Sequence, residues 1–193
     1  MHQFTCHSFA DKPEFVDQMA EAAQDTWGHL RPGWEHADRV KYYQDRCKKE
    51  GVEQMLVAAD AKGEFAGMAG LTAHDIDTRK DLFGWVADVY VKPQHRGLGL
   101  GTWLVAQVEA QAVAEGLTEL YLYTPDAAEF YERFGWVEVE QTTHKGEQIT
   151  IMRKDLAAVM QMGVPLQKQI SKQLGQSTDL ENMGDNVIPL HKD

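Results

Sequence analysis

The stretch Val89-Tyr90-Val91-Lys92-Pro93-Gln94-His95-Arg96-Gly97-Leu98-Gly99-Leu100-Gly101-Thr102 decides the fold, because an apolar strand runs through a glycine-rich loop into a helical pattern. Backbone amides at a helix start have no internal acceptor and lie at the positive end of the helix dipole. Glycine lets an anion reach them without a Cβ in the way. The segment therefore predicts a phosphate cradle from Gly97 to Thr102, with Arg96 adding a direct charge contact. A dinucleotide fingerprint beginning at Gly97 needs glycine where Thr102 stands, and a Walker loop needs Gly-Lys-Ser or Gly-Lys-Thr. The spacing excludes both.

Outward from the loop, residues 83–91 read as a strand, and Trp103, Leu104, Val108 and Ala112 carry a helical period that ends near Gly116. Residues 117–123 then read as another strand, so the crossover demands a parallel pair. Further upstream, 52–59 and 64–72 form a hairpin about Asp60-Ala61-Lys62-Gly63. The N-terminus reads as a strand over 1–10. A helix is expected to start at Asp11-Lys12-Pro13-Glu14, with Asp11 as cap, and to carry Phe15, Val16, Met19, Ala22, Ala23 and Trp27. After Arg31-Pro32-Gly33 a second helix carries Ala37, Val40, Tyr43 and Cys47. Downstream come a short helix over 127–134 and two strands, 136–141 and 147–152, joined at His144-Lys145-Gly146. The domain spans 1–156. Residues 157–193 form an appendage without sustained periodicity, either a short helix near 165–174 or a mobile tail.

Three motifs together resemble the GNAT family of acetyltransferases: Arg96-x-x-Gly99-x-Gly101 its pyrophosphate loop, Asp88-Val89-Tyr90-Val91-Lys92-Pro93 its fourth strand, and Tyr131-Glu132-Arg133-Phe134-Gly135-Trp136 its Tyr-x-x-x-Gly-aromatic signature. The order of elements is similar too. The resemblance implies an α/β (α+β) fold, a mixed, mostly antiparallel sheet flanked by helices, whose parallel fourth and fifth strands splay to admit acetyl-CoA. It implies direct transfer of the acetyl group to a primary amine in a ternary complex. Val89, Tyr90 and Val91 would meet the pantetheine arm, and Arg96, Gly97, Leu98, Gly99, Leu100, Gly101 and Thr102 the pyrophosphate.

The reaction needs a base to take a proton from the amine and an acid near the departing thiolate. The resemblance makes Tyr131 the acid, since a tyrosine with an ordinary pKa of about 10 stays protonated at neutral pH. Its other reading is a core-edge residue beside Phe130 and Phe134. Asp88, an acid within an otherwise apolar run, is the candidate base; its other reading is a solvent-facing or helix-pairing carboxylate. The sequence departs from the family at Tyr123-Thr124-Pro125-Asp126, where many members carry an asparagine that holds pantetheine. Thr124 or Asp126 would have to substitute. The acceptor side of the family lies in the first two helices and the last hairpin. Here Trp27, Trp34, Glu35, His36 and Asp38 offer an aromatic and acidic wall suited to a cation; taken singly, each also reads as scattered surface charge or a core tryptophan.

Composition bounds the rest. At 193 residues, 43% hydrophobic and 25% charged, the chain is an ordinary globular domain. A net charge of −11 argues against nucleic acid and for a cationic ligand. No apolar run reaches the roughly 20 residues of a membrane span, and His2, Gln3, Thr5, His7 and Ser8 stand where a signal peptide would be apolar, so the reading is cytoplasmic. Cys6 and Cys47 read as inert thiols, and the eight histidines show no metal-binding spacing, so no metal is expected. The expected partner is a small amine substrate, with a homodimer left open. Transfer to a protein or peptide amine, and a non-catalytic acyl-CoA-binding module, are the alternatives.

Overall fold

The computed structural model describes residues 3–157. The tail expected to be a short helix or mobile lies outside them. The chain builds one seven-stranded sheet in the order β1-β2-β3-β4-β5-β7-β6, from β1 (Phe4–Ser8), β2 (Gln54–Asp60), β3 (Phe65–Thr72), β4 (Trp85–Val91), β5 (Glu119–Thr124), β6 (Val137–His144) and β7 (Glu147–Asp155). Every pair is antiparallel except β4 with β5. That pair is registered only at Trp85 and Tyr121, where the Tyr121 amide donates to the Gly84 carbonyl at 2.9 Å. Beyond this point the two strands part, as the sequence leads one to expect.

Helices cover both faces. The long helix α3 (Leu100–Ala114) packs Leu100, Leu104, Val108 and Ala112 against Val86, Val91, Leu120 and Leu122 of the central strands. On the opposite face, α1 (Val16–Trp27) and α2 (His36–Gln44) bury Met19, Ala23 and Tyr43 against Met55, Val57 and Met68. The short helix α4 (Ala128–Glu132) brings Tyr131 to the α3 side, and a buried Lys154–Glu109 ion pair at 2.7 Å ties β7 to α3. At the closing hairpin the two-residue turn Lys145-Gly146 has φ of 49° and 89°, the conformation whose twist suits a tight hairpin.

The N-terminus departs from the expected plan. Instead of a helix capped by Asp11, there are two 3₁₀ turns, Phe9–Asp11 and Pro13–Phe15, the first capped by the Ser8 side chain, and the α-helix begins only at Val16. The tight turns bury both Phe9 and Phe15, and that burial overrides the local cap signal. Likewise α2 stops at Gln44, leaving Cys47 beyond its end.

Candidate active site

A cleft opens where β4 and β5 part. One wall is the β4 backbone from Val86 to Val89, and the facing wall runs from Leu122 to Asp126 with Tyr131 behind it. A β-bulge shapes the first wall. Met68 pairs with Tyr90 but Gly70 pairs with Ala87, so Asp88 and Val89 together oppose Ala69 alone. The extra residue reverses the strand's alternation, which is why Val86 and Val91, five apart, face α3 together. Asp88 takes φ 51° at the bulge, a left-handed conformation that aspartate tolerates better than most residues.

The bulge brings Asp88 within reach of α2. The Tyr42 hydroxyl donates to its carboxylate at 3.4 Å. Burial raises the Asp88 pKa, opposed by the charges of Arg46 and Arg31 and by the Tyr42 hydrogen bond. Sequence reasoning did not single out a second carboxylate, Asp75, which enters the same cleft from the β3–β4 connection. Burial, and next the charge of Asp88, push the Asp75 carboxyl up to about 7. The stretch His74-Asp75-Ile76-Asp77 reads in sequence as a solvated polar loop, and no spacing marks one of its acids as buried.

Two cations share the cleft. Arg31 lies 4.4 Å above the Trp34 ring and 4.8 Å from that of Tyr42, and Lys145 reaches in from the hairpin turn. Burial, then the charge of Arg31, lowers the Lys145 pKa. The expected acceptor wall is therefore different in kind. Trp27 does line the cleft, but Trp34 is covered by the protein's own Arg31. Glu35 and Asp38 are joined at the start of α2, where the Glu35 amide donates to Asp38 at 2.9 Å, and His36 pairs with Asp17 at 3.0 Å. Those three residues serve the helix, and the acids that line the cleft are Asp75, Asp88, Asp126 and Glu147.

Tyr131 is buried at 6% exposure, and burial pushes its phenol well above the ordinary value. It both packs on Phe130 and Trp136 and lines the cleft. The core-edge and cleft-facing readings thus describe one residue. The buried Thr124 hydroxyl accepts from the Ala127 amide at 3.0 Å, just before α4. Asp126 is exposed on the cleft wall.

At the far end of β4, Gly97 and Gly99 adopt φ of 73° and 75° and lead into α3. The first bond of that helix runs from the Trp103 amide to the Gly99 carbonyl at 3.0 Å, which leaves the amides of Leu100, Gly101 and Thr102 without a helical acceptor. A Cβ built on Gly97 would meet nothing within 4 Å. Arg96 donates from Nε to the Val91 carbonyl at 3.1 Å, bracing the loop. Of the seven residues expected at the pyrophosphate, Leu100 buries its side chain in the core, while Leu98 is half exposed at the tip. Of the three expected at the pantetheine arm, Val89 lines the cleft, and Tyr90 turns its ring to the other face, stacked on Phe65. Val91 is buried against α3.

Among the described residues no three His, Cys, Asp or Glu side chains are grouped as a metal site, and no helix is long and apolar enough to cross a membrane. Burial pushes the Cys6 thiol up to about 12, so it stays protonated.

Splayed parallel strands beside an open glycine turn at a helix start are the arrangement of an acyl-CoA-dependent transferase. The sequence matches the family model described as acetyltransferase (GNAT) family over residues 16–136, and the chain belongs to that family of acetyl-CoA-dependent N-acetyltransferases. A comparison with curated proteins finds no match. Among solved structures, an aminoglycoside 6'-acetyltransferase type Ii is similar at 21% identity and a TM-score of 0.61, covering 79% of this chain and 97% of that one. The spermidine/spermine N-acetyltransferase of Vibrio cholerae is similar at 16% identity and a TM-score of 0.61, covering 84% and 98%. An aminoglycoside 6'-N-acetyltransferase complexed with coenzyme A is similar at 17% identity and a TM-score of 0.62, covering 79% and 97%. At these identities the likeness is one of fold. The free amides at the start of α3 suit a pyrophosphate, and the gap between β4 and β5 suits an extended pantetheine arm.

Proposed function

We propose that this protein acetylates the primary amine of a small molecule by direct attack on acetyl-CoA, with the amides of Gly97 to Thr102 and Arg96 holding the pyrophosphate. The observation that carries this reading is the convergence of Asp75, Asp88 and Tyr131 on the cleft between the parted strands. When bound, acetyl-CoA supplies the thioester. An amine arrives protonated and must lose that proton to become a nucleophile. The Asp75–Asp88 pair takes it, because an acid held at about 7 is matched to neutral pH, where the product of ionised fraction and basicity is greatest. Two interacting carboxylates titrate as a pair, so the base is the pair and Asp88 is its bulge-positioned member.

Tyr131 acts at the leaving group. A phenol raised by burial keeps its proton, so its contribution is a hydrogen bond to the departing sulfur as negative charge develops there. Amine-dependent thiol release from acetyl-CoA, followed with a thiol reagent across amines, amino acids and peptides, tests the reaction. Tyr131→Phe is expected to lose about 10²- to 10⁴-fold in kcat with acetyl-CoA affinity retained in calorimetry. Equal loss of both would make Tyr131 structural only, and binding without release for every amine would favour an acyl-CoA-binding module.

A further inference from the structure

The cleft is not simply acidic. Asp75, Asp88, Asp126 and Glu147 share it with Arg31 and Lys145, Glu147 pairing with His29 at 2.9 Å, yet neither cation forms an ion pair with a carboxylate among the described residues. Of the other two arginines whose charges act on Asp88, Arg46 pairs with Glu53 at 3.2 Å, and Arg39 donates from Nε to Gln24 at 2.6 Å while a terminal nitrogen of it is buried without a partner. Arg31 is held another way, over the rings of Trp34 and Tyr42, which themselves meet edge to face at 5.7 Å. Stacking fixes a guanidinium without consuming its planar N–H donors, which remain available for a bidentate anion. Tyr42 contributes twice, with its ring against Arg31 and its hydroxyl on Asp88. One side chain thus touches both a cation and an acid of the same cleft.

We propose that the acceptor carries a carboxylate as well as its amine, with Asp75 and Asp88 receiving the ammonium while Arg31 and Lys145 receive the carboxylate. The inference rests on the amine-transfer reading and narrows it to amino acids and related amino-carboxylates. Burial, and next the charge of Arg31, lower the Lys145 pKa, with Asp75 and Asp77 opposing, and an anion that meets both cations eases their repulsion. Coenzyme A does not need them, because its phosphates are met by the loop at the opposite end of β4. A polyamine or aminoglycoside, cationic along its length, would set a second ammonium against Arg31 and Lys145.

Matched acceptors test this in the thiol-release assay: lysine against 1,5-diaminopentane, and 4-aminobutanoate against propylamine. The carboxylate-bearing member of at least one pair is expected to have the higher kcat/KM by about 10- to 100-fold, the effect of a charged hydrogen-bonded contact. In Arg31→Gln that ratio should collapse, and Lys145→Gln should reduce it as well. Preference for the carboxylate-free members in both pairs, or a ratio untouched by both variants, overturns the inference. If polyamines or aminoglycosides turn over and no amino-carboxylate does, the inference fails while amine acetylation stands. If no amine releases thiol although calorimetry shows acetyl-CoA bound, the transfer reading fails and takes the inference with it.

Discussion

Replacing Asp75 by asparagine should stabilise the protein, and only above acidic pH. In the unfolded chain this carboxyl ionises near its ordinary value of about 3.9, whereas in the folded cleft it ionises at about 7 because burial and Asp88 oppose its charge. Between those values the folded state binds a proton that the unfolded state has lost, so stability falls by about 1.4 kcal/mol per pH unit. The stabilising contribution is complete below the unfolded pKa, declines as pH rises and is gone once pH passes the folded pKa. From pH 5 to pH 8 the wild type should lose about 3 kcal/mol that the asparagine variant keeps. For a chain of this size each kcal/mol shifts Tm by roughly 2–4 °C. Thermal melts of both proteins across that range should therefore show Asp75→Asn gaining about 6–12 °C on the wild type as pH rises. A constant offset between the two curves, or a variant less stable at pH 8, would refute a carboxylate held against its charge in this cleft. A saturating acceptor should shrink the gain, since its ammonium would neutralise the pair in the wild type alone.

Two further substitutions separate the cofactor loop from the sheet that supports it. Gly99→Glu sets bulk and negative charge where the amides of α3 begin, at a residue with φ 75°, and should weaken acetyl-CoA binding by at least about 30-fold; unchanged affinity in calorimetry would sink the assigned loop. Gly67→Ala would set a methyl 2.5 Å from the Tyr90 carbonyl oxygen, backbone that cannot swing away, and should cost about 1–3 kcal/mol, read as a lower midpoint in urea; an unaltered midpoint would mean that β3 and β4 are less rigidly apposed than their pairing indicates.

What the sequence made legible follows from which signals are local. Glycines at 97, 99 and 101 after an apolar run announce an anion site because only glycine permits that backbone path and approach. The strand, helix, strand order around Leu100–Ala114 demands a parallel pair whatever lies elsewhere. Lys145-Gly146 gave the closing turn, though not the insertion of β7 between β5 and β6, which depends on a distant partner. Asp11 looked like a helix cap until Phe9 and Phe15 both found the core. Trp34 looked like a cradle for a ligand's cation, and nothing in its neighbours revealed that Arg31 would occupy it. Asp75 was hidden most completely, because a carboxylate becomes chemically special through burial beside Asp88, a tertiary fact.

Asp88 was legible as an acid in an apolar run but not as the centre of a bulge, and the bulge explains more than its own position. Regular alternation from Val86 would have turned Asp88 toward α3, into the apolar cluster of Leu104 and Val108. One extra residue moves it to the face of α2, where Tyr42 donates to it and three arginines moderate its charge. The same insertion adds local twist and bend to β4, beyond its last pairing with β5 at Trp85. The left-handed residue costs on the order of 1–3 kcal/mol, and the packing of Tyr42 and Tyr43 beneath it is extensive enough to hold it. The opening for the cofactor and the delivery of a carboxylate to that opening are therefore two consequences of one backbone irregularity.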